Sequence, residues 1–168
     1  MSHIVKVALK FKVQQALYHA IKVASEGAEP VTDYRFYDGN VVSGIGIQFN
    51  GWVDKAVIDN DGTMVYDNFK GAWGKQSHME KFCKEYTFEV ARSWAMERGY
   101  LVQDCGTVLN IITLEGGTIA VTADGQVETS GFFGSGCQET TSTLEALMGE
   151  RETESLTDEY YRVPQYAG

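Results

Sequence analysis

Cys137 lies in "GFFGSGCQETTSTLEALMG", Gly131 to Gly149, where glycines lead into a run with helical spacing. Three chemistries fit such a segment: a phosphate-cradling loop, an activated thiol, or the start of a packed helix. A Walker-type loop needs a lysine and a Ser/Thr after its last glycine, to reach phosphate and magnesium. Here Cys137 and Gln138 follow Gly136. A dinucleotide fingerprint needs its glycines after a parallel strand inside a βαβ unit, whereas this loop follows a hairpin pattern. The glycines are therefore not those of a nucleotide loop. A thiol in a first helical turn feels the helix dipole, which can lower its pKa, but a catalytic thiol also wants a nearby base. His3, His19 and His78 are the only histidines, and all are distant in sequence. Cys137 also shares a helical face with Thr141, Leu144 and Met148, and a buried cysteine behaves as a small apolar residue. Packing is the favoured reading, with a thiol-dependent enzyme or redox protein centred on Cys137 as the alternative.

Other candidates carry less. Lys6, Lys10 and Lys12 line one face of the first strand pattern, with Arg35 further on, and such cations could meet nucleic-acid phosphates. A solvated face, or an edge guarded against aggregation by lysine, explains them more simply. Tyr34, Phe36 and Tyr37 could stack on bases, but core packing is preferred in an acidic protein. No His pair at i, i+4 and no calcium-loop pattern occurs, so neither a metal nor a cofactor is expected. Asp59-Asn60-Asp61-Gly62 and Asp67-Asn68, near Trp73, read as turn and cap chemistry. The tail "DEYYRVPQY" is different: Tyr160, Tyr161, Val163 and Tyr166 follow an acidic run. Aromatic anchors with acidic flanks suit docking to another protein, or folding back onto the same chain.

The bulk numbers agree with a folded, acidic protein. The chain has 168 residues, 43% of them hydrophobic, and a net charge of −9, which argues against general affinity for nucleic acid or anionic membrane. From Gln126 onward, eight acidic residues face Arg151 and Arg162, a net of −6. Cys83, Cys105 and Cys137 show no CxxC spacing and are odd in number, which points to reduced thiols. Lysines interrupt the N-terminal apolar run, and no apolar stretch reaches membrane-spanning length. A cytoplasmic setting follows, whether cytoplasm, plastid stroma or the cytoplasm of a virus-infected cell.

The elements that must position these residues alternate between two periods. Ile4 to Lys12 has the two-residue period of a half-buried strand, and Val13 to Ser25 the stripe of a helix that Gly27 ends. A polar stretch around Pro30 follows, then a short strand at Tyr34 to Tyr37. Asp38-Gly39-Asn40 turns into a meander through Ile45, Ile47 and Phe49, Trp52 to Ile58, and Thr63 to Tyr66, with a hairpin at Asp61-Gly62. His78 to Arg98 is the longest helix, with Met79, Phe82, Tyr86, Val90 and Trp94 at helical spacing. Leu101 to Asp104 and Val108 to Leu114 are strands, and Gly116-Gly117 is the candidate boundary between a unit at 1–116 and one at 117–168. The second unit opens with a hairpin around Asp124-Gly125, then the helix of the cysteine segment and the acidic aromatic tail. The expected class is α+β: a largely antiparallel sheet with two to three helices packed on it, plus a small hairpin-helix module.

Two family resemblances rest on these stretches. The N-terminal unit, from "MSHIVKVALKF" through "VDKAVIDNDGTMVYDNFKGAWG" to "EYTFEVARSWAMERGYLV", resembles the hypothetical chloroplast reading frame thirty-five family, a domain of unknown function. This chain departs from that family's Asp-aromatic-aromatic-Gly pattern at Asn68 and Lys70. From Thr118 to about Arg162, "ADGQVET", "GFFGSGCQETTSTLEALMGE" and "LTDEYY" resemble a second small family of unknown function, often encoded beside the first. The chain looks like a fusion of two usual neighbours. Genes of these families often lie near a AAA+ ATPase and a ferredoxin-like protein, and neither family brings a catalytic set. The resemblance therefore implies a non-enzymatic accessory or adaptor protein with a protein partner, a AAA+ ATPase among the candidates.

Overall fold

The computed structural model describes residues 4–130. Strand β1, Val5–Lys10, follows the alternation of its sequence: Val5, Val7 and Leu9 are buried, and Phe11 continues the face. Helix α1, Gln14–Ala24, buries Ala16, Leu17 and Ala20. Its first turn is tied to the strand by a remote hydroxyl. Tyr86 Oη accepts the Val13 N–H at 3.1 Å and donates to the Lys10 carbonyl at 3.0 Å.

The chain then does something its residue pattern conceals. Where a polar connection is expected around Pro30, it forms β2, Gly27–Arg35, paired antiparallel with β3, Val41–Gln48. The alternation is missing because β2 is an edge strand exposed along most of its length, and an edge is where a strand tolerates proline. The expected strand at Tyr34 to Tyr37 is the end of β2 and its turn. The meander continues through β4, Ala56–Ile58, and β5, Thr63–Tyr66. β4 is shorter than the predicted Trp52 to Ile58, because the Trp52 N–H bonds back to the Phe49 carbonyl and makes a turn of that segment. β5 pairs with β1, Val5 opposite Tyr66, and closes a five-stranded antiparallel sheet in the order β1-β5-β4-β3-β2.

The long helix α2, Gln76–Glu97, is followed by β6 (Leu101–Asp104), β7 (Val108–Ile112), β8 (Thr118–Thr122) and β9 (Val127–Ser130). These four strands make a second antiparallel sheet in chain order. One apolar cluster joins the two helices to a face of each sheet. Phe82 of α2 packs against Phe11 and Phe49, with ring centroids 5.7 and 5.6 Å apart, and Leu109, Ile111, Ile119 and Val121 belong to the same core. Burying each such side chain is worth roughly 1.5–3 kcal/mol. A smaller cluster of Phe36, Val57 and Val65 covers the opposite face of the first sheet. The architecture is α+β: two main helices packed against largely antiparallel strands, with a smaller C-terminal sheet. No helix among the described residues is long and apolar enough to cross a membrane.

Four hairpins close by the same device. Phe36 to Asn40, Asp59 to Thr63, Thr113 to Gly117 and Thr122 to Gln126 each bond the first N–H to the fifth carbonyl and the fourth N–H back to the first carbonyl, at 2.8–3.0 Å. The fourth residue is always glycine, at φ between 83° and 93°, and an acidic residue always precedes it. This is the three-residue hairpin loop whose last position is left-handed, where glycine carries no steric penalty. Gly116-Gly117 thus lies in a hairpin turn, and β8 and β9 on its far side pair into the sheet begun by β6 and β7.

Candidate functional site

The residues singled out by type lie far apart. Lys6 and Lys12 are exposed on or just after β1, and Lys10 Nζ donates to Thr63 Oγ1 at 2.6 Å. Arg35 closes β2, where its Nη1 donates to the Gly39 carbonyl at 3.4 Å. β1 and β2 are opposite edges of one sheet with three strands between them, so the fold does not gather these cations into one patch. Cys137, Tyr160, Tyr161 and Tyr166, and the helix expected around Cys137, lie outside the described residues. Of the other thiols, Cys83 is buried on α2 and Cys105 is exposed. Burial pushes the Cys83 thiol up to about 12, so it stays protonated and unreactive near neutrality. Among the described residues no group of three His, Cys, Asp or Glu is placed to hold a metal ion. Asp59 Oδ1 instead accepts the N–H groups of Asp61 and Thr63, at 2.9 and 3.1 Å, which is the turn chemistry read from the sequence.

The feature that stands out instead is the loop between β5 and α2, Asp67 to Lys75. Its root is polar and buried. Tyr66 Oη donates to Gln76 Oε1 at 3.1 Å, Asn68 Nδ2 donates to the same oxygen at 2.9 Å, and Asp67 Oδ1 accepts the Phe69 N–H at 3.0 Å. Asp67 therefore caps a turn, as its place in the sequence suggests. The Asn68 carbonyl then accepts the N–H groups of Gly71 and Trp73. To close that turn, Phe69 and Lys70 both take the left-handed backbone region, at φ 48° and 55°. A residue with a side chain loses roughly 1–2 kcal/mol there, so two in succession are a substantial local cost.

What the strained turn holds is a surface of aromatic rings. Phe69 and Trp73 stack with centroids 4.8 Å apart and planes 25° apart, and Tyr37 meets the Trp73 ring edge-on at 5.5 Å. Tyr37 is 76% exposed, and Val53, whose N–H bonds to the Trp73 carbonyl at 2.8 Å, is 68% exposed. Beside this surface lies a cleft of about 390 Å³ at the start of α2, lined by Asn50, Gly51, Gly74, Lys75 and His78 among others. Lys75 lines the cleft and Lys70 lies earlier in the same loop; both are exposed and form no ion pair among the described residues. Reasoning from residue types missed the trio, because Tyr37 and Trp73 come together only when the β2–β3 turn meets the loop. One signal was present: Gly71 and Gly74 interrupt the helical spacing of Phe69 and Trp73, so no regular element is expected to bury them.

A protein family of unknown function, DUF2997, matches residues 118–161. The matched stretch begins at β8, whose Ile119 and Val121 are fully buried against the main core, and it runs beyond the described residues. No curated protein matches the chain. No solved structure matches it either.

Proposed function

We propose that the chain is a non-enzymatic accessory protein that docks onto a protein partner through the Tyr37–Phe69–Trp73 face. Tyr160, Tyr161 and Tyr166 act as further anchors in the tail. The observation that carries this reading is the cost of the surface: two successive left-handed residues with side chains keep an aromatic stack at the protein exterior. Strain of that kind persists where the surrounding structure enforces it, and aromatic residues dominate binding energy at protein interfaces. The chain's resemblance to families encoded beside a AAA+ ATPase makes such an ATPase the first partner to test. A cytoplasmic compartment, or its plastid equivalent, goes with that role.

The experiment is co-purification of the tagged full chain from its native source, followed by titration of the purified partner. Trp73→Ala and the triple variant Tyr160→Ala, Tyr161→Ala, Tyr166→Ala are compared with the parent. Loss of a central aromatic anchor weakens binding by about tenfold or more. Equal affinity of the Trp73→Ala variant for the partner removes this face from the proposal.

A further inference from the structure

The Tyr37–Phe69–Trp73 face has a candidate occupant within its own chain. We propose that the acidic aromatic segment 150–168 docks in cis on this face, its tyrosines against the Phe69–Trp73 stack and its carboxylates over Lys70 and Lys75.

Charge is the first argument. Between Glu150 and Glu159 the segment carries Glu150, Glu152, Glu154, Asp158 and Glu159 against Arg151 alone. The face offers Lys70 and Lys75, both exposed and without an ion pair among the described residues. Chemistry is the second argument. Tyr160 and Tyr161 follow the acidic run directly, so the segment orders its groups as cation-seeking carboxylates and then rings. The face presents cations beside rings. Aromatic pairs of this kind favour edge-on or offset contact.

Reach is the third. β9 ends at Ser130, thirty residues before Tyr160. Thirty residues reach at most about 100 Å when extended, against a radius of gyration of about 14 Å for a domain the size of the described part. Tethering makes the contact intramolecular, so a weak contact suffices to occupy the face. Occupied in this way, the face is self-masked; a partner displaces the tail and then holds the released tyrosines as its further anchors. The inference rests on reading this face as a docking surface, but its test needs no partner.

The three tryptophans make the test direct. Trp52 and Trp94 are 5% and 3% exposed, so a neutral collisional quencher such as acrylamide reports chiefly on half-buried Trp73. In the intact full-length chain Trp73 is shielded. The full-length variant Tyr160→Ala, Tyr161→Ala, Tyr166→Ala raises the quenching constant by at least about twofold, as loss of a tethered ligand requires. Glu152→Gln with Glu154→Gln and Glu159→Gln, or added salt, moves it the same way, and a synthetic peptide of residues 150–168 restores shielding to the triple-Ala variant. Trp73→Phe abolishes the difference. Equal quenching of parent and triple-Ala variant overturns the proposal, and so does shielding that appears only as protein concentration rises, which would place the tail on a second copy. Partner binding lost in Trp73→Ala while quenching is unaffected by the tail leaves the docking face standing without its mask.

Discussion

Gly74 lies flat against the indole of Trp52: a β-carbon at Gly74 would stand 2.4 Å from Trp52 Cδ2 and 2.5 Å from Cγ. Trp52 is 5% exposed and packs in turn on Phe49 and Tyr66, at 4.9 and 5.6 Å, so the ring has nowhere cheap to go. Gly74→Ala therefore costs about 1–3 kcal/mol, as overpacking does. A fall in the urea midpoint at unchanged slope is the expected readout. An unchanged midpoint would mean that the loop slides away from the indole.

Tyr86 is a second structural dependence, of hydrogen bonding rather than volume. Removing its hydroxyl leaves the Val13 N–H and the Lys10 carbonyl without the partner that joins β1 to α1. Tyr86→Phe costs about 1–3 kcal/mol, with the ring packing on Phe11 kept. Amide exchange at Val13 rises more than exchange in β8 if the damage is local to this joint.

Lys70→Gly acts in the opposite direction. Lys70 sits at φ 55° with its side chain exposed, so glycine relieves backbone strain and sacrifices little contact. Set against the extra chain entropy of glycine, the net gain is about 0.5–1 kcal/mol. A stabilised variant with weakened partner binding is the outcome expected if this turn is held strained for docking. A destabilised one shows that the turn is not strained.

How the fold was written in the chain differs from region to region. β1 was plain because its two faces differ, valine and leucine inward and lysine outward. Three of the four shared hairpin turns were plain because each carries an Asp-Gly pair. The fourth, around Glu115-Gly116, looked like a domain boundary because glutamate is not a usual turn residue and a second glycine follows. β2 escaped for a physical reason: an exposed edge strand has no buried face to impose a period, and Pro30 argues against a strand until its place at the edge is known. The left-handed pair at Phe69 and Lys70 was illegible, since neither side chain favours that backbone. It exists because the Asn68 carbonyl and the Tyr66–Gln76 contact fix both ends of the loop. The aromatic face inherits that illegibility.

Alkaline pH weakens this protein through buried acids. Burial holds the Tyr66, Tyr86 and Tyr34 hydroxyls above the ordinary phenol range, and lifts the Cys83 thiol from 9.0 to about 12. Above pH 9 the unfolded chain releases these protons while the native chain keeps them, so the unfolded state binds fewer protons and stability falls as pH rises. The stabilisation is fully present below the unfolded-state pKa values and is lost as pH climbs through the folded ones. Urea midpoints measured between pH 8 and 11 should decline steadily, and less steeply in Cys83→Ala. A flat profile over that range would contradict the burial of these groups.

The pairing of β1 with β5 has a consequence during synthesis. Val5 leaves the ribosome sixty-one residues ahead of its partner Tyr66, which at about 5–20 residues per second means a wait of about 3–12 s. For that interval an alternating apolar strand is exposed to every other nascent chain nearby. Lys6, Lys10 and Lys12 break up its polar face with charge throughout the wait, as gatekeeper residues do beside unavoidable apolar strands. The lysines of this strand thus have work to do before the fold exists, in protecting a newborn chain from its neighbours.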